Sequence, residues 1–126
     1  MHAEVLRAHR ENALEPWLAL EADPYVVANR GEITLPSAEE RRAARAPYLG
    51  RTSFSVYRDL REPLVEISHD GTLAWLICQV EGRGEQRDES GASKPIEFVY
   101  AWIELYRREQ GRWRMVGNVS NQKPAP

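Results

Sequence analysis

A chain of 126 residues that is 42% hydrophobic and 29% charged has the size and composition of one soluble globular domain, read here as spanning 1–126. Its 17 basic residues are offset by 19 acidic ones, and a net charge of −2 excludes the basic footprint of a nucleic-acid binder. The opening stretch MHAEVLRAHRENALEPW has no uninterrupted apolar run, so neither a secretory signal nor a membrane partner is expected, and the expected location is cytoplasmic.

The first element is a helix over residues 3–13, whose stripe of Val5, Leu6, Ala8 and Ala13 also carries His9. A second short helix begins at Pro16, a residue suited to a first turn, and carries Trp17, Leu18 and Leu20 toward Asp23-Pro24. Tyr25 to Ala28 and Glu32 to Leu35 read as short strands around the Asn29-Arg30-Gly31 turn. Ser37 followed three residues later by Glu40 is a capping box; the helix it opens should end before Pro47, with Arg41, Arg42 and Arg45 on a solvated face. From Thr52 onward the pattern is an antiparallel meander: TSFSVYRDL, LVEIS, TLAWLICQVEG, a polar connection from Gly84 to Pro95, IEFVYAWIELYRR, and RWRMVGNVS after a Gln110-Gly111 turn. Helices followed by a meander predict an α+β fold with about three helices packed on one face of a sheet.

Turns set register, and register sorts side chains by face. The turn at Gln110-Gly111 pairs Leu105 with Val116, Ile103 with Asn118 and Ala101 with Ser120. The turn at Asp70-Gly71 pairs Ile67 with Ala74 and Val65 with Leu76. Closing the long loop so that Cys78 lies beside Ala101 gives an aliphatic inner face on which Asn118 and Ser120 also fall. A buried amide without a partner costs about 1–3 kcal/mol, which marks these two as candidate site residues. Trp75, Trp102, Tyr106 and Trp113 collect on the outer face, an aromatic surface that suits a homodimer interface. Cys78, the single cysteine, reads as a buried inert thiol.

The motifs VANRGEI (27–33), DGTLAW (70–75) and GRWR (111–114) leading into Asn118-Val119-Ser120-Asn121 give the chain a resemblance to the nuclear transport factor 2-like superfamily. That group includes ketosteroid isomerase-like and SnoaL-like proteins. The resemblance covers nearly the whole chain and implies a strongly curved, barrel-like sheet wrapped around helices as a cone. It also implies an interior pocket and, commonly, a homodimer through the outer sheet surface. It implies no single activity, because the superfamily spans isomerases, dehydratases, cyclases and binding or scaffold members.

His9 is the candidate general base, since imidazole titrates near neutrality. Arg58, with Phe54 and Val56 on the helix-facing side of its strand and paired with Val65, is a candidate for a ligand carboxylate. Tyr48, at a helix end, could point its hydroxyl into the pocket. Asp59, Glu66 and Tyr57 fall on the outer face by the same register. The histidines His2, His9 and His69 show no metal-ligand spacing, and no nucleotide fingerprint is present, so neither metal nor cofactor is expected. The expected function is binding of a small organic molecule in the cone. The alternatives are a cofactor-independent isomerase, dehydratase or cyclase that uses His9, and a dimerisation scaffold.

Overall fold

The N-terminal apolar stripe becomes helix α1 (His2–Arg10) in the computed structural model, which describes residues 1–122. Its Val5 and Leu6 enter two separate clusters of the core, one with Tyr25, Tyr106 and Met115 and the other with Phe54, Tyr57, Cys78 and Val80. After α2 (Leu14–Ala19) the chain forms β1 (Glu21–Asn29) and β2 (Glu32–Thr34), joined by a two-residue turn with Arg30 at φ 54° and Gly31 at φ 79°. Arg30 therefore takes the left-handed position that asparagine was expected to share with glycine.

Ser37 caps α3 (Ala38–Arg51) with the foreseen box: its hydroxyl accepts from the Glu40 amide at 3.1 Å, and the Glu40 carboxylate accepts from the Ser37 amide at 3.2 Å. The helix does not stop at Pro47 but runs on to Arg51. Proline removes one intrahelical bond, and the turn beyond it is held by tertiary packing, with Leu49 buried and Tyr48 against the core. Arg41 is also no solvated residue: it is buried and ion-paired to Glu21 at 3.0 Å.

The second half forms β3 (Thr52–Asp59), β4 (Leu64–Ile67), β5 (Leu73–Arg87), β6 (Ser93–Glu109) and β7 (Arg112–Gln122). The sheet order is β2-β1-β7-β6-β5-β3, with β4 also on β5. The fold is thus α+β, a curved and mostly antiparallel sheet with the helices against its concave face. One pairing departs from the meander: β1 runs parallel to β7, with Val26 opposite Gly117. The segment expected to be a long loop is largely paired strand, out to Arg87 opposite Ser93.

Three register differences decide which side chains face inward. The pairs Val65–Leu76 and Ile67–Ala74 form as expected. Cys78, however, lies opposite Trp102 rather than Ala101, a one-residue shift that turns Tyr100, Trp102, Glu104 and Tyr106 to the concave side. Glu104 is 1% exposed and Tyr106 7%. Trp102, Tyr106 and Trp113 are therefore withdrawn from the outer surface; Trp102 and Trp113 pack against the two core clusters, and Trp75 remains outside. In β7 a bulge places Met115 opposite Tyr106 but Gly117 opposite Leu105, with Val116 as the extra residue. The bulge reverses parity beyond it, so Asn118 sits opposite Glu104 and Ser120 opposite Trp102, and both still face inward. A similar irregularity between Phe54 and Val56 turns Tyr57 and Asp59 inward and Arg58 outward, and β3 pairs with β5 rather than with β4.

Candidate functional site

A cavity of about 150 Å³ lies between α1, α2 and the concave face of the sheet. His9 and Trp17 reach it from the helices, Tyr25 from β1 and Tyr57 from β3. Tyr100, Trp102 and Glu104 of β6 and Asn118 and Ser120 of β7 supply the rest of its polar and aromatic wall. A space of this size holds a molecule of about one ring.

His9 is 6% exposed and sandwiched between Trp17 at 4.2 Å and Tyr57, stacked nearly parallel at 4.4 Å. Its Nδ1 lies 2.8 Å from the carbonyl of Val5 one turn earlier, which makes Nδ1 the protonated nitrogen of the neutral ring. Burial pushes the imidazole down to about 4; the Val5 bond opposes the shift and the Arg45 charge adds to it. At neutral pH the ring is uncharged, and Nε2, with no hydrogen bond among the described residues, offers a lone pair.

Tyr25 is 1% exposed, and its hydroxyl accepts from the Asn118 amide nitrogen at 2.8 Å and donates to Met115 Sδ at 3.4 Å. This bond answers the question of how an inward-facing asparagine is tolerated. It also leaves the Asn118 carbonyl oxygen and the Ser120 hydroxyl without a hydrogen bond among the described residues. Burial first, then the charge of Glu21, pushes the Tyr25 phenol up, so it stays a neutral donor and acceptor. Behind it, Glu21 is clamped by Arg41 and by both terminal nitrogens of Arg45, at 2.7 and 3.0 Å, and the Arg45 guanidinium lies 3.9 Å from the centre of the Trp17 ring. These arginines are committed to Glu21 and to the ring faces that shape the mouth of the cavity.

Glu104 is the buried anion of the site. His2 Nδ1 reaches its Oε2 at 2.8 Å, Trp102 donates to the same oxygen at 2.7 Å, and the Tyr106 hydroxyl donates to Oε1. His2 Nε2 in turn meets Asp59 Oδ1 at 2.8 Å. Burial disfavours the Glu104 charge, but its three donors outweigh that effect and hold the carboxyl below its ordinary value.

Among the residues singled out from sequence, His9, Asn118 and Ser120 meet in the cavity wall. Arg58 does not: it points to solvent and pairs with Glu81 at 3.0 Å, because the β3 irregularity reverses its face. Tyr48 packs against the Phe54 cluster and is not part of the cavity wall; burial raises its hydroxyl to about 12. Sequence reasoning missed Glu104, Trp102, His2 and Asp59. Gly117, an isolated glycine in an apolar strand, was the available signal for the bulge.

No family model matches the sequence, and no curated protein does. Solved structures match over nearly the whole chain. A nuclear transport factor 2-like protein from Cytophaga hutchinsonii is similar with a TM-score of 0.73 and 16% identity, covering 97% of this chain and 92% of that one. A ketosteroid isomerase-like protein from Erwinia carotovora atroseptica gives 0.73 and 16%, over 98% and 92% of the two chains. A nuclear transport factor 2-like protein of unknown function in nutrient uptake from Rhodospirillum rubrum gives 0.72 and 16%, over 98% and 95%. With its helices on the concave side of a curved sheet, this chain has the cone fold of the nuclear transport factor 2-like superfamily.

Proposed function

We propose that this protein binds a small, uncharged, ring-sized organic molecule in the cone and does not transform it. The observation that carries this reading is the wall of the cavity: Trp17, Tyr57, Tyr100 and Trp102 give it aromatic surface, while His9 Nε2, the Asn118 carbonyl and the Ser120 hydroxyl offer open hydrogen-bonding positions. The ionisable groups do not suit proton transfer at neutral pH. Glu104 is saturated by three donors, and His9, at about 4, is too weak a base to hold a proton there. No helix among the described residues is long and apolar enough to cross a membrane.

Benzamide is a suitable probe, since it presents one ring, two donors and an acceptor. Titration should quench tryptophan fluorescence saturably, because Trp17 and Trp102 line the cavity. Ser120→Phe, which fills the space, should abolish the quenching while leaving the circular dichroism unchanged, and Asn118→Leu should weaken binding about tenfold. Saturable quenching that survives Ser120→Phe would remove the cavity from consideration.

A second copy of this chain is the proposed partner, through the convex face. Trp75, Leu73 and Val119 are exposed there, with Ile103, Leu105 and Val116 half-buried beside them. A contiguous apolar surface on a soluble protein favours self-association. Sedimentation equilibrium should report a dimer for the native chain and a monomer for Trp75→Glu; identical masses for the two would rule out this face.

A further inference from the structure

We propose that His2, Asp59 and Cys78 form a site for a divalent transition metal of the zinc class, with Glu104 orienting the imidazole from behind. The three residues come from α1, β3 and β5, and one ligand atom of each lies within 4.8 Å of the others. Nitrogen, carboxylate oxygen and thiolate sulfur together form a donor set that suits zinc and cobalt.

A tetrahedral ion needs small movements of all three ligands: Cys78 Sγ, within 4.8 Å of the other two atoms, must close in by up to about 1.2 Å while the nitrogen and oxygen part. Metal bonds of the usual lengths put neighbouring ligand atoms about 3.3–3.7 Å apart. His2 Nε2 and Asp59 Oδ1 are 2.8 Å apart, so they must part by only about 0.6 Å to admit an ion at their ordinary bond lengths. Behind the imidazole, Nδ1 is already held by Glu104 Oε2 at 2.8 Å, the carboxylate–histidine arrangement that fixes the ring and aims Nε2 at a metal. Glu104 is itself anchored by Trp102 and Tyr106, so the support is rigid. The Asp59 side chain is 26% exposed, and a hollow of about 240 Å³ lined by Val65, Ile67 and Trp113 borders the His2 imidazole.

Binding replaces two protons with one dication. His2 gives up the proton it shares with Asp59, and Cys78 gives up the thiol proton that now points to the Trp102 carbonyl. Three protein ligands leave a fourth position for water or a small anion.

The test uses the tag-free full-length chain, stripped with a chelator and titrated with Co²⁺. A near-ultraviolet thiolate-to-cobalt charge-transfer band should saturate at one equivalent and disappear on addition of Zn²⁺. Cys78→Ala, which removes the chain's one cysteine, should abolish the band. Asp59→Asn and Glu104→Gln should each weaken cobalt binding, the latter about 10- to 100-fold. No band in the native chain overturns the proposal. So does cobalt affinity that is the same in the native chain, Cys78→Ala and Asp59→Asn, which would leave the ion without the thiolate and carboxylate ligands. Asp59 is partly exposed, so its variant keeps the test decisive even if an alteration at Glu104 unfolds the chain.

Discussion

Glu104→Leu is expected to destabilise the fold by about 3–5 kcal/mol in urea-induced unfolding. The residue is 1% exposed, and its loss strands three donors at once: the His2 imidazole, the Trp102 indole and the Tyr106 hydroxyl. Glu104→Gln keeps the shape but loses the charge and one acceptor, so it should fall between the native chain and the leucine variant. A loss below about 1 kcal/mol for Glu104→Leu would mean that the buried network contributes nothing net, as happens when an ion pair is replaced by well-packed apolar groups.

The same network sets the pH dependence. Burial works against the charged His2, but hydrogen bonds and charges from Glu104 and Asp59 outweigh it and hold the imidazole above its ordinary 6.5. Its contribution is therefore complete below that value and is lost as pH rises through the raised folded value. Glu104 behaves oppositely: with its folded value below the ordinary 4.5, its contribution is present above 4.5 and is lost as pH falls through the lowered value. His9 adds to the acid side: its folded value is pushed down to about 4, so its contribution is present above 6.5 and is lost as pH falls toward 4. Thermal unfolding of the metal-free chain should therefore show stability declining on both sides of about 6.5 rather than a plateau. His2→Gln should flatten the alkaline limb while part of the acid limb persists through Trp102 and Tyr106; an unchanged alkaline limb would assign that titration to another group.

Gly117→Val should be the second severe change, costing about 3 kcal/mol or more. The parallel approach of β1 puts Val26 against this glycine, and a Cβ built there collides with both the side chain and the carbonyl of Val26. The clash pushes β1 off β7, and Tyr25, which anchors Asn118, moves with it. The variant should therefore lose benzamide binding along with stability. Val116→Ala, at the bulge but away from that contact, is the control and should lose little of either.

Several features were legible from local sequence because their cause is local. The Ser37–Glu40 box, the stripe of Val5 and Leu6, and the Asp70-Gly71 turn that registers β4 on β5 all act over a few residues, and each appears as read. The order of helices, hairpin and meander made an α+β fold legible, and the resemblance to the nuclear transport factor 2-like superfamily implied its cone shape. Asn118 and Ser120 reached the cavity wall by a less direct route. The expected pairing of β5 with β6 was one residue off and the bulge at Val116 was not foreseen, and the two differences cancel at these positions. At Arg58 nothing cancels, so a residue expected inside lies at the surface.

What the sequence determined by itself is the set of elements, because helix stripes, caps and tight turns depend on neighbours within a few positions. What only the tertiary structure decided is which face of β6 is inside, and hence that Glu104 is a buried anion and that His2, Asp59 and Cys78 converge. A strand's side chains alternate with period two, so one residue of slip at a closing loop, or one extra residue at a bulge, exchanges every inward group for its outward neighbour. Such a slip is settled by the packing of Trp102, Tyr106 and Met115 against the helices, between residues about a hundred positions apart in the chain.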